Sequence, residues 1–200
     1  MKWKDSQINK EINELENKNN NFNIDSKIID KIEQIELLEN RLKSKELKKK
    51  VIFNLIYRAS TDGDSPNDYH NKCDGYINTI CVIQTIKGYI FGGYTETKIK
   101  SDNGLDDKDP NVFVFSLSKM KIYEKTKKEE DAVCHSKGWG PIFRNDAFGV
   151  WGENFFSYDE HTIGTKWDSN FENMDEDYEI NNGDPYFTIK EFEVFQILIE

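Results

Sequence analysis

Thr79-Ile80-Cys81-Val82-Ile83-Gln84-Thr85, then Lys87-Gly88, then Tyr89-Ile90-Phe91-Gly92-Gly93-Tyr94 is the stretch from which the fold can be read. The first run is apolar and β-branched, Lys87-Gly88 supplies a turn, and the second run returns, which predicts an antiparallel hairpin. Gly92 and Gly93 sit inside a strand, where glycine marks a bulge or a close approach by another backbone or side chain. Beyond the hairpin, strands are expected at 112–117, 121–125, 132–135, 147–152, 155–158, 186–189 and 191–199. In the last of these, Phe192, Val194 and Leu198 alternate with Phe195, Ile197 and Ile199. Apolar residues of both parities belong to a strand covered on two faces, so the C-terminal strand should run through the middle of the core. Many short strands with Gly and Asp or Asn turns predict a mainly β, α+β fold: a two-sheet antiparallel β-sandwich with short flanking helices.

Upstream the chain changes character. All 12 glycines and all 4 prolines lie at or after Gly63, and of the 26 aromatic residues only Trp3 and Phe22 precede residue 51. The packing is therefore expected in residues 50–200, with residues 1–48 as a helical, Asn-rich, coiled-coil-like segment. Ile28, Ile32, Ile35 and Leu42 follow a heptad spacing, with Leu38 beside them and Asp25 or Ser26 placed to cap the start. Such a stripe is expected to self-associate into a homo-oligomer or to meet a partner helix, with folding back on its own domain as the alternative. Ile8, Ile12 and Leu15 make a shorter stripe, separated from the first by asparagines between residues 17 and 23. Lys45, Lys48, Lys49 and Lys50 read as a solvated helix end or, less simply, as a nuclear signal.

Charge narrows the function classes. The first 50 residues hold 12 Lys and Arg against 10 Asp and Glu, and the whole chain holds 27 against 37, which leaves 15 against 27, a net of −12, for residues 51–200. That balance disfavours nucleic-acid binding, which needs cations along an extended surface, and suits a basic or neutral protein partner. No stretch approaches the roughly 18 apolar residues of a membrane span, and Met1 to Ser6 lacks the apolar run of a secretory signal. With three cysteines, Cys73, Cys81 and Cys134, an odd and sparse set, reduced thiols in the cytoplasm are the expectation.

Between residues 51 and 75 the signals are local and specific. Val51 to Tyr57 reads as a strand or a buried helix end. Ser65-Pro66-Asn67-Asp68 places an N-cap serine, a proline at the first helical position and an acid at the third, a capping box that opens a helix over 66–74. Tyr69 and Cys73 share one face of it, and Gly75 is placed to end it in a left-handed conformation. Asp62-Gly63 predicts a tight turn before the helix. Glu193, a carboxylate within a strand built for burial, is expected to pair with an arginine or with backbone donors, Arg58 and Arg144 being the arginines available beyond residue 50.

Several of these words recur together. Tyr57-Arg58-Ala59-Ser60-Thr61-Asp62-Gly63, His70-Asn71-Lys72-Cys73-Asp74-Gly75, Phe91-Gly92-Gly93-Tyr94, Phe148-Gly149-Val150 and Phe187 to Phe195 resemble the TLDc domain, the module of the oxidation resistance proteins, over about residues 50–200. The family's glycine-rich loop before its Phe-Gly-Leu-like strand is replaced here by Ser136-Lys137-Gly138-Trp139-Gly140-Pro141. The resemblance implies an antiparallel β-sandwich without an established catalytic centre. It implies an interaction protein, with roles in oxidative-stress protection and in binding the cytosolic sector of the vacuolar proton-pumping ATPase. It marks Asp62, Gly63, His70, Cys73, Asp74, Gly75, Gly92, Gly93, Tyr94 and Glu193 as structural or partner-binding positions.

The residues offer little chemistry beside that. His70 with Cys73, and Cys134 with His135, are four candidate zinc donors, but nothing in their spacing makes them converge, and adjacent strand residues point to opposite faces. The simpler reading is a buried, hydrophobic Cys73 and a satisfied core or helix-end histidine. Asp74 beside Cys73 raises rather than lowers a thiol pKa, which disfavours peroxide chemistry. No Gly-x-Ser-x-Gly elbow or Walker loop occurs, and Gly138-Trp139-Gly140 lacks the context of a dinucleotide site. Asp102 to Asp109 is rich in oxygen donors but out of EF-hand order, and reads as a solvated loop. Asp168, Glu172, Asp175, Glu176, Asp177 and Glu179 read as an exposed acidic segment. No catalytic residue, metal or cofactor is expected; the alternative is a thiol- or metal-dependent antioxidant enzyme.

Overall fold

A computed structural model describes residues 24–43, 49–126, 130–143, 147–159, 161–163, 171–172 and 174–200, with 103–106 described through their backbone. The stripe at Ile8, Ile12 and Leu15, the asparagine stretch, Lys45, Lys48, Arg144 and Asp168 lie outside the described residues.

Helix α1 (Ile32–Leu42) leads into β1 (Val51–Arg58), the short α2 (Ala59–Asp62) and α3 (Pro66–Cys73). The hairpin follows as β2 (Thr79–Thr85) and β3 (Ile90–Thr95), then β4 (Asn103–Lys108), β5 (Phe113–Ser116), β6 (Lys121–Glu124) and β7 (Asp131–Ser136). The chain closes through β8 (Ile142–Phe143), β9 (Phe148–Gly149), β10 (His161–Ile163), a 3-10 turn (Glu179–Asn181), β11 (Tyr186–Phe187) and β12 (Ile189–Ile199). Two antiparallel six-stranded sheets result, ordered β1-β12-β2-β3-β5-β6 and β11-β10-β9-β8-β7-β4.

The alternation along β12 explains why it lies inside its sheet, between β1 and β2. Phe192 and Val194 pack into the core between the sheets with Tyr57, Tyr69, Phe91, Val114, Tyr123, Phe143 and Phe148. Phe195 and Ile197 point the other way, into a second core with Phe53, Ile80, Val82, Phe113 and Phe115. That second core is roofed by Ile28, Ile29, Ile35 and Leu38.

The self-association seam is thereby corrected. Ile28 and Ile35 are buried on the sheet, Leu42 packs against the same cluster, and Ile32 is only half-buried, so the stripe folds back on its own domain. Burying a leucine such as Leu38 contributes about 2 kcal/mol, and the sheet of its own domain supplies that burial. The helix also starts later than the caps suggest. Its N-cap is Lys31, with no side-chain cap, while Ser26 Oγ accepts from the amides of Ile28 (3.0 Å) and Ile29 (2.8 Å) in a turn upstream.

Other local readings meet the structure unevenly. The capping box at Ser65 and Asp68 forms, and α3 ends at Cys73 with Gly75 at φ +95°. Asp102 to Asp109 is not a free loop: its backbone pairs with β7 as strand β4, and Asp109 is buried, accepting from Thr95 Oγ1, the Glu96 amide and the Asn111 amide. The strand expected at 147–152 shrinks to Phe148–Gly149 and that at 155–158 is a turn. Glu179, read as exposed, is buried and accepts from the Asp175 amide and Lys121.

Candidate functional site

Asp62, Gly63, His70, Cys73, Asp74, Gly75 and Glu193 gather along the join between β1, α2, α3 and the sheets, whereas Gly92, Gly93 and Tyr94 lie apart from it on β3. The phenol of Tyr57, at the end of β1, donates to the Gly63 carbonyl at 2.7 Å, closing the α2 turn over its own strand. Asp62 Oδ2 accepts from the Arg58 amide at 2.9 Å and its other oxygen pairs with Lys72 at 2.8 Å. Partial burial works against that charge, but the Lys72 and Arg58 contacts prevail and hold the carboxyl below its usual range. At Gly63, with φ +108°, a β-carbon would collide with the Asp68 side chain, so the turn and the helix cap exclude any larger residue together. Tyr57, Tyr69 and Phe192 form an aromatic triad, with Tyr57 edge-on to both partners at 5.7 and 5.3 Å and Tyr69 stacked on Phe192 at 5.8 Å.

His70 carries α3 across to the second sheet. Its Nδ1 lies 2.7 Å from Asp74 Oδ1, and its Nε2 lies 2.8 Å from the Ser136 carbonyl and 3.1 Å from that of Trp139. Both ring nitrogens meet oxygen acceptors, so the ring ties the helix end to the β7–β8 loop. Ser101 donates to the other oxygen of Asp74, and the Gly75 amide donates to the Ile99 carbonyl at 2.8 Å. Trp139 remains 38% exposed beside the edge of Trp151, at 5.1 Å.

Cys73 is fully buried one turn from His70, and burial, reinforced by Asp74 and Asp62, pushes its thiol well above the ordinary range. Burial pushes Cys81 up to about 12. Cys134 is buried as well. Next to it, His135 reaches Thr97 Oγ1 at 3.2 Å, and burial lowers its pKa. Among the described residues, no group of three His, Cys, Asp or Glu side chains is placed to hold a metal ion.

Gly92 and Gly93 mark close approaches. A β-carbon at Gly92 would overlap the Cys81 carbonyl oxygen of the neighbouring strand, and one at Gly93 would stand 2.5 Å from the Phe143 ring of the other sheet. Tyr94 points to the opposite face and stacks on Phe113 at 5.1 Å.

Glu193 anchors the N-terminal segment. Wholly buried, its Oε1 accepts from Arg58 Nε at 2.7 Å and from the Lys27 amide at 2.8 Å, while Oε2 accepts from Ser26 Oγ at 2.6 Å. Arg58 reaches on to Asp25, at 2.9 Å to its carbonyl and 2.8 Å to Oδ1. The expected arginine is therefore Arg58. The sequence did not announce Ser26 and Lys27 as the other partners of Glu193, or Asp25 as the second partner of Arg58: the same serine that resembles a helix cap serves as the donor to a strand 167 positions away.

The two sheets, the roofing helix and the buried cross-ties define a β-sandwich domain whose marked residues converge on joints rather than on a cleft. A family model of the TLDc domain matches residues 22–198, and the chain belongs to that family. The match takes in α1 and the segment that Glu193 holds. A comparison with curated proteins gives no match.

Proposed function

We propose that the chain is a non-enzymatic TLDc interaction module of the cytoplasm that serves oxidative-stress protection by binding a protein complex, the cytosolic sector of the vacuolar proton-pumping ATPase being the first candidate. One observation carries the non-enzymatic part. The residues that distinguish the family here are committed to holding the fold, and the thiols that peroxide chemistry would use are buried, those of Cys73 and Cys81 with raised pKa values. The partner rests on family kinship, and the acidic balance of residues 51–200 favours a basic or neutral contact surface. No helix among the described residues is long and apolar enough to cross a membrane.

Two measurements on the purified full chain test the reading. Co-elution with the isolated cytosolic sector should give a stoichiometric complex, and its absence removes that partner. Peroxide consumption should be negligible and equal for the wild type, Cys73→Ser and Cys134→Ser; turnover that depends on either thiol would make the protein an antioxidant enzyme instead.

A further inference from the structure

The turn that leaves β2, in the first sheet, lies beside β11, in the second, and a cavity of about 210 Å³ opens between them. Ile86, Lys87, Asp159, Asn181, Tyr186 and Thr188 form much of its lining. Hydrogen bonds fix these walls. The Ile86 amide donates to the Thr188 carbonyl at 3.0 Å, and the Ile163 amide donates to the Pro185 carbonyl at 3.0 Å. Asn181, 1% exposed, donates from Nδ2 to the carbonyls of Asp184 and Tyr186 at 3.1 Å each. The cavity is therefore preformed, and an occupant need not order it.

Its charges are unevenly matched. Lys87 supplies a cation to the lining, but its Nζ is engaged by Asp184 at 3.0 Å. Asp159 is exposed, and its carboxylate accepts no hydrogen bond and joins no ion pair among the described residues. The nearby His161 has both ring nitrogens engaged, at the Trp151 amide and the Phe155 carbonyl. With Lys87 matched by Asp184, the unmatched charge on the lining is the negative one of Asp159, on a chain whose formal net charge is -10. Such a cavity draws cations. Tyr186 and Ile86 line it while 57% and 64% exposed, so an aromatic ring and a branched aliphatic side chain offer surface to whatever enters.

We infer that this cavity receives an arginine side chain from a protein partner, its guanidinium pairing with Asp159 and lying against the Tyr186 ring while its methylene stem covers Ile86. The chemistry of the lining selects that group. A planar guanidinium offers paired donors to a carboxylate and stacks on an aromatic face, which a compact, strongly hydrated ammonium does less well. An anion would meet Asp159 with the lysine already taken, and a purely apolar group would strip water from the carboxylate without replacing it. The inference rests on the reading of the chain as an interaction module and deepens it, by naming the residue type that a basic partner inserts.

Titration of the full chain with capped glycyl-arginyl-glycine, followed through amide NMR signals, tests this. The amides of Ile86, Lys87, Asp159 and Tyr186 should shift together and saturably. The lysine tripeptide should bind more weakly, and the citrulline tripeptide, of the same shape without the charge, should not bind. Asp159→Asn should weaken the arginine tripeptide about tenfold, and Tyr186→Ala about threefold. Asp159 has no bonded partner to lose, so its variant should melt with the wild type. Shifts confined to other amides, or an affinity that ignores Asp159→Asn, overturn the inference. So does tighter binding of agmatine than of the tripeptide, which assigns the cavity to a free guanidine instead of a protein. Peptide binding without co-elution of the ATPase sector upholds the inference and removes only that named partner, whereas co-elution without peptide binding does the reverse.

Discussion

Glu193 is a charged side chain with no exposure in the middle of the longest strand, a placement that costs several kcal/mol unless the charge is fully engaged. Three donors engage it, and two of them belong to residues 26 and 27, so the carboxylate converts strand β12 into an anchor for the chain segment that precedes α1. Glu193→Gln keeps the shape and removes the charge, and its amide nitrogen would face donors instead of acceptors. The variant should lose about 3 kcal/mol of unfolding free energy in urea, with the amides of Lys27, Ile28 and Ile29 exchanging faster than the rest. Loss of stability without that local loosening would mean that Glu193 does not hold the segment. The carboxylate's need for a cation was legible from its apolar neighbours. Its other partners were not, because a hydroxyl and a backbone amide leave no mark in composition.

Element by element, legibility followed how much of an element's burial is written into its own period. The β2–β3 hairpin and the two-faced β12 announced themselves, since their apolar residues alone say how many faces are covered. Helix α1 announced a stripe but not its contact: periodicity defines which face is apolar, and only the fold decides that the sheet claims it. Strand β4 was missed because its pairing with β7 runs through backbone groups, whereas its Asp-rich sequence resembles a loop. The opposite error arose near 150–155, where Val150 and Phe155 are fully buried in irregular backbone. The docked α1 invites a test. Its N-cap, Lys31, has strand-like torsions and no side-chain bond to the first turn, so Lys31→Asp should add about 1 kcal/mol by capping and by favourable charge at the N-terminus. Leu38→Ala, at the buried face, should cost about 3 kcal/mol. If both changes leave the melting temperature unmoved, α1 does not roof the sheet in solution.

For the molecule as a whole, buried titratable groups determine how the sandwich meets acid. His161, with no exposure, accepts from the Trp151 amide at Nδ1 (2.9 Å), which leaves Nε2 to donate to the Phe155 carbonyl (2.9 Å). This fixes a neutral ring, and burial lowers its pKa to about 4; burial moves His135 in the same direction. The unfolded chain binds protons at these rings near the ordinary histidine value of about 6.5, before the folded chain does. Stability is therefore complete above that value and falls as pH drops toward 4, with a contribution from His161 on the order of 3 kcal/mol. The carboxylates act lower. Asp62 and Glu179 are held below their usual range, Asp62 by Lys72 and the Arg58 amide and Glu179 by Lys121 and the Asp175 amide, in each case against the cost of burial. Their share persists down to the ordinary carboxylate range of about 4 and is lost only below it. Urea unfolding followed from pH 7 to pH 4 should thus show a decline that begins above the range in which Asp62 and Glu179 titrate. His161→Phe should be weaker at pH 7, because the Trp151 amide loses its acceptor, yet show a flatter decline over the same interval. An unchanged slope in that variant would place the acid sensitivity elsewhere in the fold.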